Sequence, residues 1–427
     1  MPDYWGFIKD PIHGYIRISE TEKRIIDTRP VQRLRRIRQL AGSEYVYPAA
    51  NHTRFEHVLG AMYLAGILGD TLPSQLPTQE RKELRIAALI HDIGHGPFSH
   101  VSEPLITRYL GKTHEDLVPW LVTKTELADV LTDTGFDPKQ IGRLAIGRLN
   151  DRKRPYLDHV ISSSIDVDRM DFLVRDSFHT GAGYGSIDVH RLLYSMDILD
   201  GNLAVDGTAI AALESFLLAR LESFRTIYFH RASRAVQIML VRALDLAKED
   251  LGLLKLDDPT DYLRLDDYAV WTGLKGSKKS RAIIEDLEMR RLLKCTYERT
   301  LYATEELVSN VITKQTVRDD IQKEIARKAR VPVDDVIIDV PTLPSVPYHN
   351  TVGVASLDIP VFLRLSHGRK KKAHLAEVSR VGFVLRAFMN LVRVYTKEKY
   401  RDRVEHVSKQ VLGETPVSTL STPRPNN

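Results

Sequence analysis

The chain has 427 residues, with 43% hydrophobic and 27% charged side chains, the balance of a globular protein larger than one ordinary domain. Its 61 basic and 56 acidic residues are well mixed, so the net charge of +5 does not call for a nucleic-acid partner, and a single cysteine, Cys295, excludes an intramolecular disulfide framework. No uninterrupted apolar stretch is long enough to span a bilayer, and the opening MPDYWGFIKD lacks a basic region followed by an apolar run, so a cytoplasmic protein with no membrane partner is expected.

In chain order, residues 5–18 alternate around Pro11-Ile12-His13-Gly14, which predicts a short hairpin. Pro30 suits the first turn of a helix, and residues 31–40 interleave Arg33, Arg35, Arg36 and Arg38 with apolar positions. Such a face is either solvated or meets an anionic partner. From Phe55 the spacing Phe55, Val58/Leu59, Met62, Ala65, Leu68 is helical, and His57 shares a face with Ala61 and Leu64, so it points inward. A second helix over about 79–93 sets Leu84, Ala88, His91 and His95 on one face before Gly94 and Gly96 break it. Glu103-Pro104 opens another helix, and the next starts near His114. Residues 115–250 read as almost wholly helical. The exceptions are the glycine-rich 181–185, read as a hinge or lid, and a small hairpin over 198–205 centred on Asp200-Gly201. A long helical pattern over 209–249 bends near His230.

After Gly252 the character changes. Residues 255–279 are polar and loop-rich, and a helix follows around 281–293. Short β-like runs at 336–340, 361–365 and 391–395 then alternate with helical segments, and Lys370-Lys371-Lys372 reads as a basic tip. The expectation is a mainly α fold: a helical core over 1–252, a smaller α+β unit over 253–413, and a disordered Pro-, Ser- and Thr-rich tail over 414–427.

The chemistry centres on residues 87–100, AALIHDIGHGPFSH, where a His–Asp pair ends an apolar helix. A His–Asp dipeptide is common by chance, a lone buried histidine is usually a core residue, and Asp92 or Asp168 could simply cap a helix. Clustering weighs against those readings, since seven of the fifteen histidines fall within the first 114 residues and four of them between His91 and His114. His57, His91, Asp92 and Asp168 supply two imidazoles and two carboxylates, a set that suits iron, manganese, magnesium or zinc. A metal so held lowers the pKa of a bound water and polarises a phosphoryl oxygen. His95, His100 and His114 are candidates for proton transfer, with Glu103 placed to orient one of them. Arg54 and Arg169 adjoin proposed ligands and could hold phosphate oxygens. Together these parts describe metal-assisted hydrolysis of a phosphate ester.

The pattern of His57, His91–Asp92 and Asp168 resembles that of the HD-domain phosphohydrolases. The runs Asp10-Pro11-Ile12-His13-Gly14, Gln32-Arg33-Leu34-Arg35, 51–60, 91–100 and 166–171 are similar, in the same order, to the deoxynucleoside triphosphate triphosphohydrolase branch, strongly over about 5–250. The resemblance implies an HD-domain helical core and hydrolysis of a dNTP to a deoxynucleoside and inorganic triphosphate. It implies a divalent metal on His57, His91, Asp92 and Asp168, phosphate contacts from His95, His114, Arg54 and Arg169, and His100 as proton donor backed by Glu103. It further implies Gln39 and Leu40 at the sugar, Asp176 at the 3′-hydroxyl, and a homo-oligomer, often a tetramer. A GTP or dNTP activator would be read by Asp27, Gln32 and Arg35, although Gly6 replaces the lysine that would hold its phosphates. Other departures are Glu103 for aspartate, Arg169 for lysine and Phe172 for tyrosine, and the segment RASRAVQ after His230 does not reproduce a Tyr–Gln pair that packs on the sugar. The alternatives are a phosphodiesterase or nuclease built on the same metal site, and a non-catalytic protein that senses nucleotides or binds single-stranded nucleic acid.

Overall fold

A computed structural model describes residues 4–72, 76–303, 314–341, 359–380 and 388–414. The fold is mainly α. Nearly all of the tail expected over 414–427 lies outside the described residues. Among those residues no helix is long and apolar enough to cross a membrane.

The chain forms two units, Met1–Arg290 with Val352–Arg386, and Arg291–Thr351 with Ala387–Asn427. The first unit opens with an antiparallel hairpin, Gly6–Asp10 and Gly14–Ile18, in the register Asp10↔Gly14. Its centre is the helix Arg54–Thr71, which starts at a Thr53/Glu56 capping box and packs against helices Thr78–Ile90 and Val167–Thr180. This central helix is buried nearly all round, through Phe55, Val58, Leu59, Ala61, Met62, Leu64, Ala65 and Leu68. Close approach depends on a missing side chain: a Cβ on Gly60 would lie 1.8 Å from Asp171 Oδ1 and 2.5 Å from Arg175 Nη2.

The Thr78–Ile90 helix is shorter than its periodicity predicts. It ends where His91 Nδ1 donates to Ala88 O at 2.7 Å, so His95 lies in the turn beyond rather than on the helix face. A Cβ on Gly94 would sit 2.1 Å from His114 O, which explains the glycine in that turn. The helix Val167–Thr180 is capped by Asp166, whose side chain accepts from Arg169 N–H at 2.8 Å. Asp168 is therefore not the cap, and its carboxylate is available for other work. The long pattern over 209–249 resolves into Ile210–Ser223, a wide π turn at Phe224–Tyr228, and Arg231–Ala247 with His230 as its cap.

The arginine-rich stretch forms only a short helix, Arg29–Arg33, and one tight turn, Leu34–Arg36. Beyond it the backbone is drawn into bonds with the next segment, Gln39 N–H to His52 O at 3.0 Å and Arg54 N–H to Ile37 O at 2.9 Å. Its arginines bind within the chain: Arg36 to Asp266 at 2.5 Å, Arg38 to Glu44 at 3.0 Å, and Arg35 stacked 3.5 Å over Phe55, while Arg33 is fully buried.

The structure departs from the expected boundary at 252/253. Helices Pro259–Leu263, Asp267–Gly276 and Arg281–Glu288 belong to the first unit, and the stretch expected to be loop-rich buries Tyr262, Leu263, Val270 and Leu274. A four-stranded sheet also joins Met196–Leu199, Asn202–Asp206, Pro360–Arg364 and Lys370–His374 in that order, with the middle pair parallel. The three lysines thus begin a paired strand rather than form a tip, and Lys370 is ion-paired with Asp197. The second unit is a three-stranded antiparallel sheet with Phe388–Thr396 between Lys294–Ala303 and Val336–Asp339. Helices Gln315–Ala329 and Arg401–Leu412 pack with it around Tyr297, Ile325, Val336, Val394 and Val404.

Candidate active site

His57, on the central helix, meets His91 and Asp92 just past the end of the Thr78–Ile90 helix and Asp168 in the first turn of Val167–Thr180. His57 Nε2 lies 3.3 Å from His91 Nε2, 3.0 Å from Asp168 Oδ1 and 3.6 Å from Asp92 Oδ2. His91 Nε2 lies 3.4 Å from Asp92 Oδ1 and 3.6 Å from Asp168 Oδ1. Each imidazole commits its other nitrogen elsewhere, His57 Nδ1 to Asp171 Oδ2 at 2.8 Å and His91 Nδ1 to Ala88 O. With Nδ1 carrying the proton, both Nε2 lone pairs are directed at one point beside two carboxylates, an arrangement a cation relieves. Burial opposes charge on His57, yet Asp168 and Asp171 outweigh it and raise the imidazole to about 10. The donor set fits a divalent metal ion in type and convergence.

Behind His57 stands a carboxylate that sequence reasoning did not single out. Asp171 is fully buried and also accepts from His13 Nε2 at 2.7 Å and from Arg175 Nε and Nη2 at 2.8 and 2.9 Å. Arg175 Nη1 continues to Asp10 Oδ2 at 2.9 Å, and Asp10 Oδ1 accepts the N–H groups of Ile12 and His13. The hairpin turn therefore presents His13 to the site. A signal was present: Asp171 and Arg175 are four residues apart on one helix, and both the Asp10 and Asp171 runs carried the family resemblance.

A second histidine group adjoins the first. The rings of His95 and His114 stack with centroids 3.8 Å apart, and His100 meets His95 edge-on at 4.7 Å. His95 Nε2 lies 3.3 Å from Asp92 Oδ1, which links the two groups. Glu103 spans the other two rings, accepting from His114 Nδ1 at 2.5 Å and His100 Nδ1 at 2.9 Å. Burial alone would raise Glu103, but these two histidines hold it well below the usual carboxylate range. Burial, Arg54 and His114 push His95 well below the usual imidazole value, while Glu103 overcomes burial and raises His114. The two stacked rings are thus pushed in opposite directions, His95 toward its neutral form and His114 toward its charged one.

Of the two expected phosphate arginines, Arg54 bonds Asp92 and donates to Ser99 Oγ at 2.7 Å, and Arg169 is ion-paired with its own helix cap, Asp166. Both are buried. Asp92, which burial would raise, is held well below the carboxylate range by Arg54, His91 and His95. The expected sugar residues meet through shared partners. Asp176 accepts from His52 Nε2 at 2.7 Å and Tyr228 O–H at 2.6 Å, and His52 O accepts from Gln39 N–H. Leu40 packs with Ala50, Ile227 and Tyr228, and Gln39 Oε1 is buried with no hydrogen-bond partner. Tyr228, which the sequence alone did not mark, lies two residues before His230, upstream of the RASRAVQ segment expected to lack a sugar-packing tyrosine.

A family model for the HD domain matches residues 54–172, and one for an HD-associated region matches residues 187–420, over half of the chain. The chain belongs to the HD-domain family. It is 32% identical over 364 residues to an uncharacterized protein of Methanocaldococcus jannaschii, covering 82% of this chain and 73% of that one. It is 30% identical to the deoxynucleoside triphosphate triphosphohydrolase SAMHD1 homolog of Dictyostelium discoideum, over 67% of this chain and 59% of the relative. The same identity relates it to the deoxynucleoside triphosphate triphosphohydrolase SAMHD1 of Homo sapiens, over 71% of this chain and 52% of that protein. The chain thus spans little more than half the length of these two named relatives. A solved structure, of a hypothetical protein from Aquifex aeolicus, superposes with a TM-score of 0.77 at 27% identity and covers 94% of this chain and 99% of that one.

HD domains bind divalent metals, and the converging nitrogen and oxygen donors lie within the matched HD domain, residues 54–172. Before that HD domain, the three residues expected to read an activator all have partners within the chain. Asp27 pairs with Lys23 at 2.8 Å, Gln32 Nε2 donates to Ile26 O at 2.9 Å, and Arg35 Nε donates to Gln32 Oε1 at 2.9 Å.

Proposed function

We propose that this HD-domain protein is a metal-dependent phosphohydrolase that converts deoxynucleoside triphosphates to the deoxynucleoside and inorganic triphosphate. The observation that carries the reading is the junction at Asp92, where a two-histidine, two-carboxylate donor set adjoins the stacked His95/His114 pair through one carboxylate. The named deoxynucleoside triphosphate triphosphohydrolases among its relatives support the choice of substrate.

In this reading His57, His91, Asp92 and Asp168 hold the metal, which when bound supplies Lewis acidity toward a water and a phosphoryl oxygen. Arg54 and His114, whose charged form Glu103 favours, neutralise phosphate oxygens, and His95, pushed toward its neutral form, donates or accepts one hydrogen bond beside them. Water adds at the α-phosphorus and the P–O5′ bond breaks, so triphosphate carries the phosphorus and the 5′-oxygen needs a proton. His100 is suited to give it: its side chain is 52% exposed, and Glu103 fixes its Nδ1–H, turning Nε2 outward. Asp176 accepts from the 3′-hydroxyl in place of Tyr228 or His52, and Gln39 Oε1 and Leu40 close on the sugar.

Product analysis tests this. The protein is incubated with Mn²⁺ or Mg²⁺ and each dNTP and NTP, with and without GTP, beside Asp92→Ala. Deoxynucleoside plus triphosphate, lost in the variant, is the expected result. Nucleoside monophosphate plus pyrophosphate would assign a different leaving group. Cleavage of an activated diester without triphosphate would make the protein a phosphodiesterase.

A further inference from the structure

Between the metal group and the second histidine group lies a turn whose shape is imposed from outside. Residues 91–98 follow the last helical residue, Ile90, and make few bonds among themselves: Ile93 N–H to Ile90 O at 3.3 Å and His95 N–H to Asp92 O at 3.0 Å. Gly94, His95 and Phe98 are buried, so their remaining backbone groups need partners. Phe98 O accepts locally from Val101 N–H at 3.1 Å, but Gly94 O, His95 O and Phe98 N–H find their partners at distant positions. Tyr262 O–H donates to Gly94 O at 2.6 Å. Arg33, fully buried, donates Nη1 to His95 O at 2.7 Å and Nε and Nη2 to Leu265 O at 2.9 and 2.6 Å. Its guanidinium lies over the Tyr262 ring, 4.8 Å from the centroid. Asp267 Oδ1 accepts from Phe98 N–H at 2.6 Å, while Oδ2 accepts from Arg38 N–H at 3.0 Å.

We propose that Arg33, Tyr262 and Asp267 are positioning residues that set the His95 ring between Asp92 and His114 by fixing the backbone that carries it. The lever is short. Gly94 sits so close to the His114 carbonyl that a Cβ there would be 2.1 Å away, so the seat of the turn determines how the next residue's ring meets the ring of His114. Apolar side chains would serve if the segment were only packed. Instead, a phenol, a guanidinium and a carboxylate each bond a separate backbone group of the turn, and two of them come from residues 262–267, some 170 positions downstream. Apart from the bond of Arg33 to the His95 carbonyl, the hydrogen bonds of these three side chains go to Gly94, Phe98, Arg38 and Leu265, and their effect on turnover passes through His95.

This inference rests on the proposed hydrolase reading for its kinetic consequence, so the experiment pairs kinetics with a measurement that needs no turnover. Tyr262→Phe removes one hydroxyl and keeps the ring, and Arg33→Lys keeps the charge but serves fewer carbonyls than the guanidinium. For dNTP hydrolysis, Tyr262→Phe is expected to lower kcat at least tenfold with KM within twofold, and Arg33→Lys to retain more turnover than Arg33→Met. In side-chain histidine nitrogen spectra of the full chain, the His95 signals shift in Tyr262→Phe while those of His13, held by Asp171, stay in place. Unchanged kcat and unchanged His95 signals overturn the proposal. So does a lower folded fraction with the same kcat per folded molecule. If the unaltered protein hydrolyses no dNTP, the hydrolase reading falls and the spectra decide alone: a shift of His95 upholds its positioning, and no shift overturns it.

Discussion

Two places in the molecule use the same device, a carboxylate bridging two imidazoles, to different ends. Asp171 holds His57 and His13, and Glu103 holds His114 and His100. Asp171 is fully buried and faces a permanent cation, Arg175, so its charge is balanced whatever its histidines do. Glu103 keeps a side chain 23% exposed and has no arginine or lysine bonded to it among the described residues; its charge raises His114 instead. The first arrangement fixes His57 Nδ1–H on Asp171, so that a bound cation can take the place of the Nε2 proton. The second favours the charged form of His114, a ring beside the metal group rather than in it.

The strongest way to break this comparison is Asp171→Ala, which leaves buried Arg175 with Asp10 as its remaining carboxylate and His57 Nδ1 without an acceptor, and should cost roughly 3 kcal/mol. Thermal unfolding should show a large fall and metal analysis a loss of bound ion, whereas Asp171→Asn should retain more of the fold. Next is Glu103→Gln, expected to lower turnover about 100-fold with a smaller fall in melting temperature than Asp171→Ala. This variant also carries a pH signature. His114 is raised in the folded protein, so its contribution to stability is complete below about 6.5, its ordinary value, and is lost as pH climbs through the raised one. Glu103 is depressed, so its contribution is complete above its ordinary value and is lost only as pH falls through the lowered one. Glu103→Gln should therefore shift the alkaline limb of the activity profile to lower pH, and an unmoved limb would remove His114 from the titrating role.

Smaller effects sharpen the comparison. Gly60→Ala pushes a methyl into Asp171 and should destabilise by about 1–3 kcal/mol, measured by denaturant unfolding, with Asp171 or the helix forced to move. Tyr228→Phe removes one buried hydrogen bond to Asp176, worth about 1 kcal/mol, and, with no phenol left for the 3′-hydroxyl to displace, should lower KM for dNTPs with little change in kcat.

The sequence made His57, His91, Asp92 and Asp168 legible because helical periodicity and adjacency are local properties, and these four do converge. Asp171 was not singled out because three residues after Asp168 a carboxylate reads as another polar helix position. Its importance appears only when His13, from a hairpin 158 residues away in sequence, is brought to it. Tyr262 and Asp267 were hidden for the same reason, in a stretch whose polar composition suggested loop although its apolar residues are buried. The strand Lys294–Ala303 mixes tyrosine and threonine with charge and carries no clear alternation, so its pairing over nine positions with Phe388–Thr396 could not be read locally.

The threading of the chain through its two units has a consequence for synthesis. The first unit is not finished at Arg290, since the strand Asn202–Asp206 awaits Pro360–Arg364, and the second cannot close until Phe388–Thr396 arrives to fill the middle of its sheet. As the polypeptide leaves the ribosome, the edge of Asn202–Asp206 stays open while more than 150 further residues are made, an interval in which another nascent chain could pair with it. Shortening the gene at a convenient point near residue 290 would make that interval permanent. The product would be a helical body with a sticky edge, prone to aggregate for reasons unrelated to its catalytic residues.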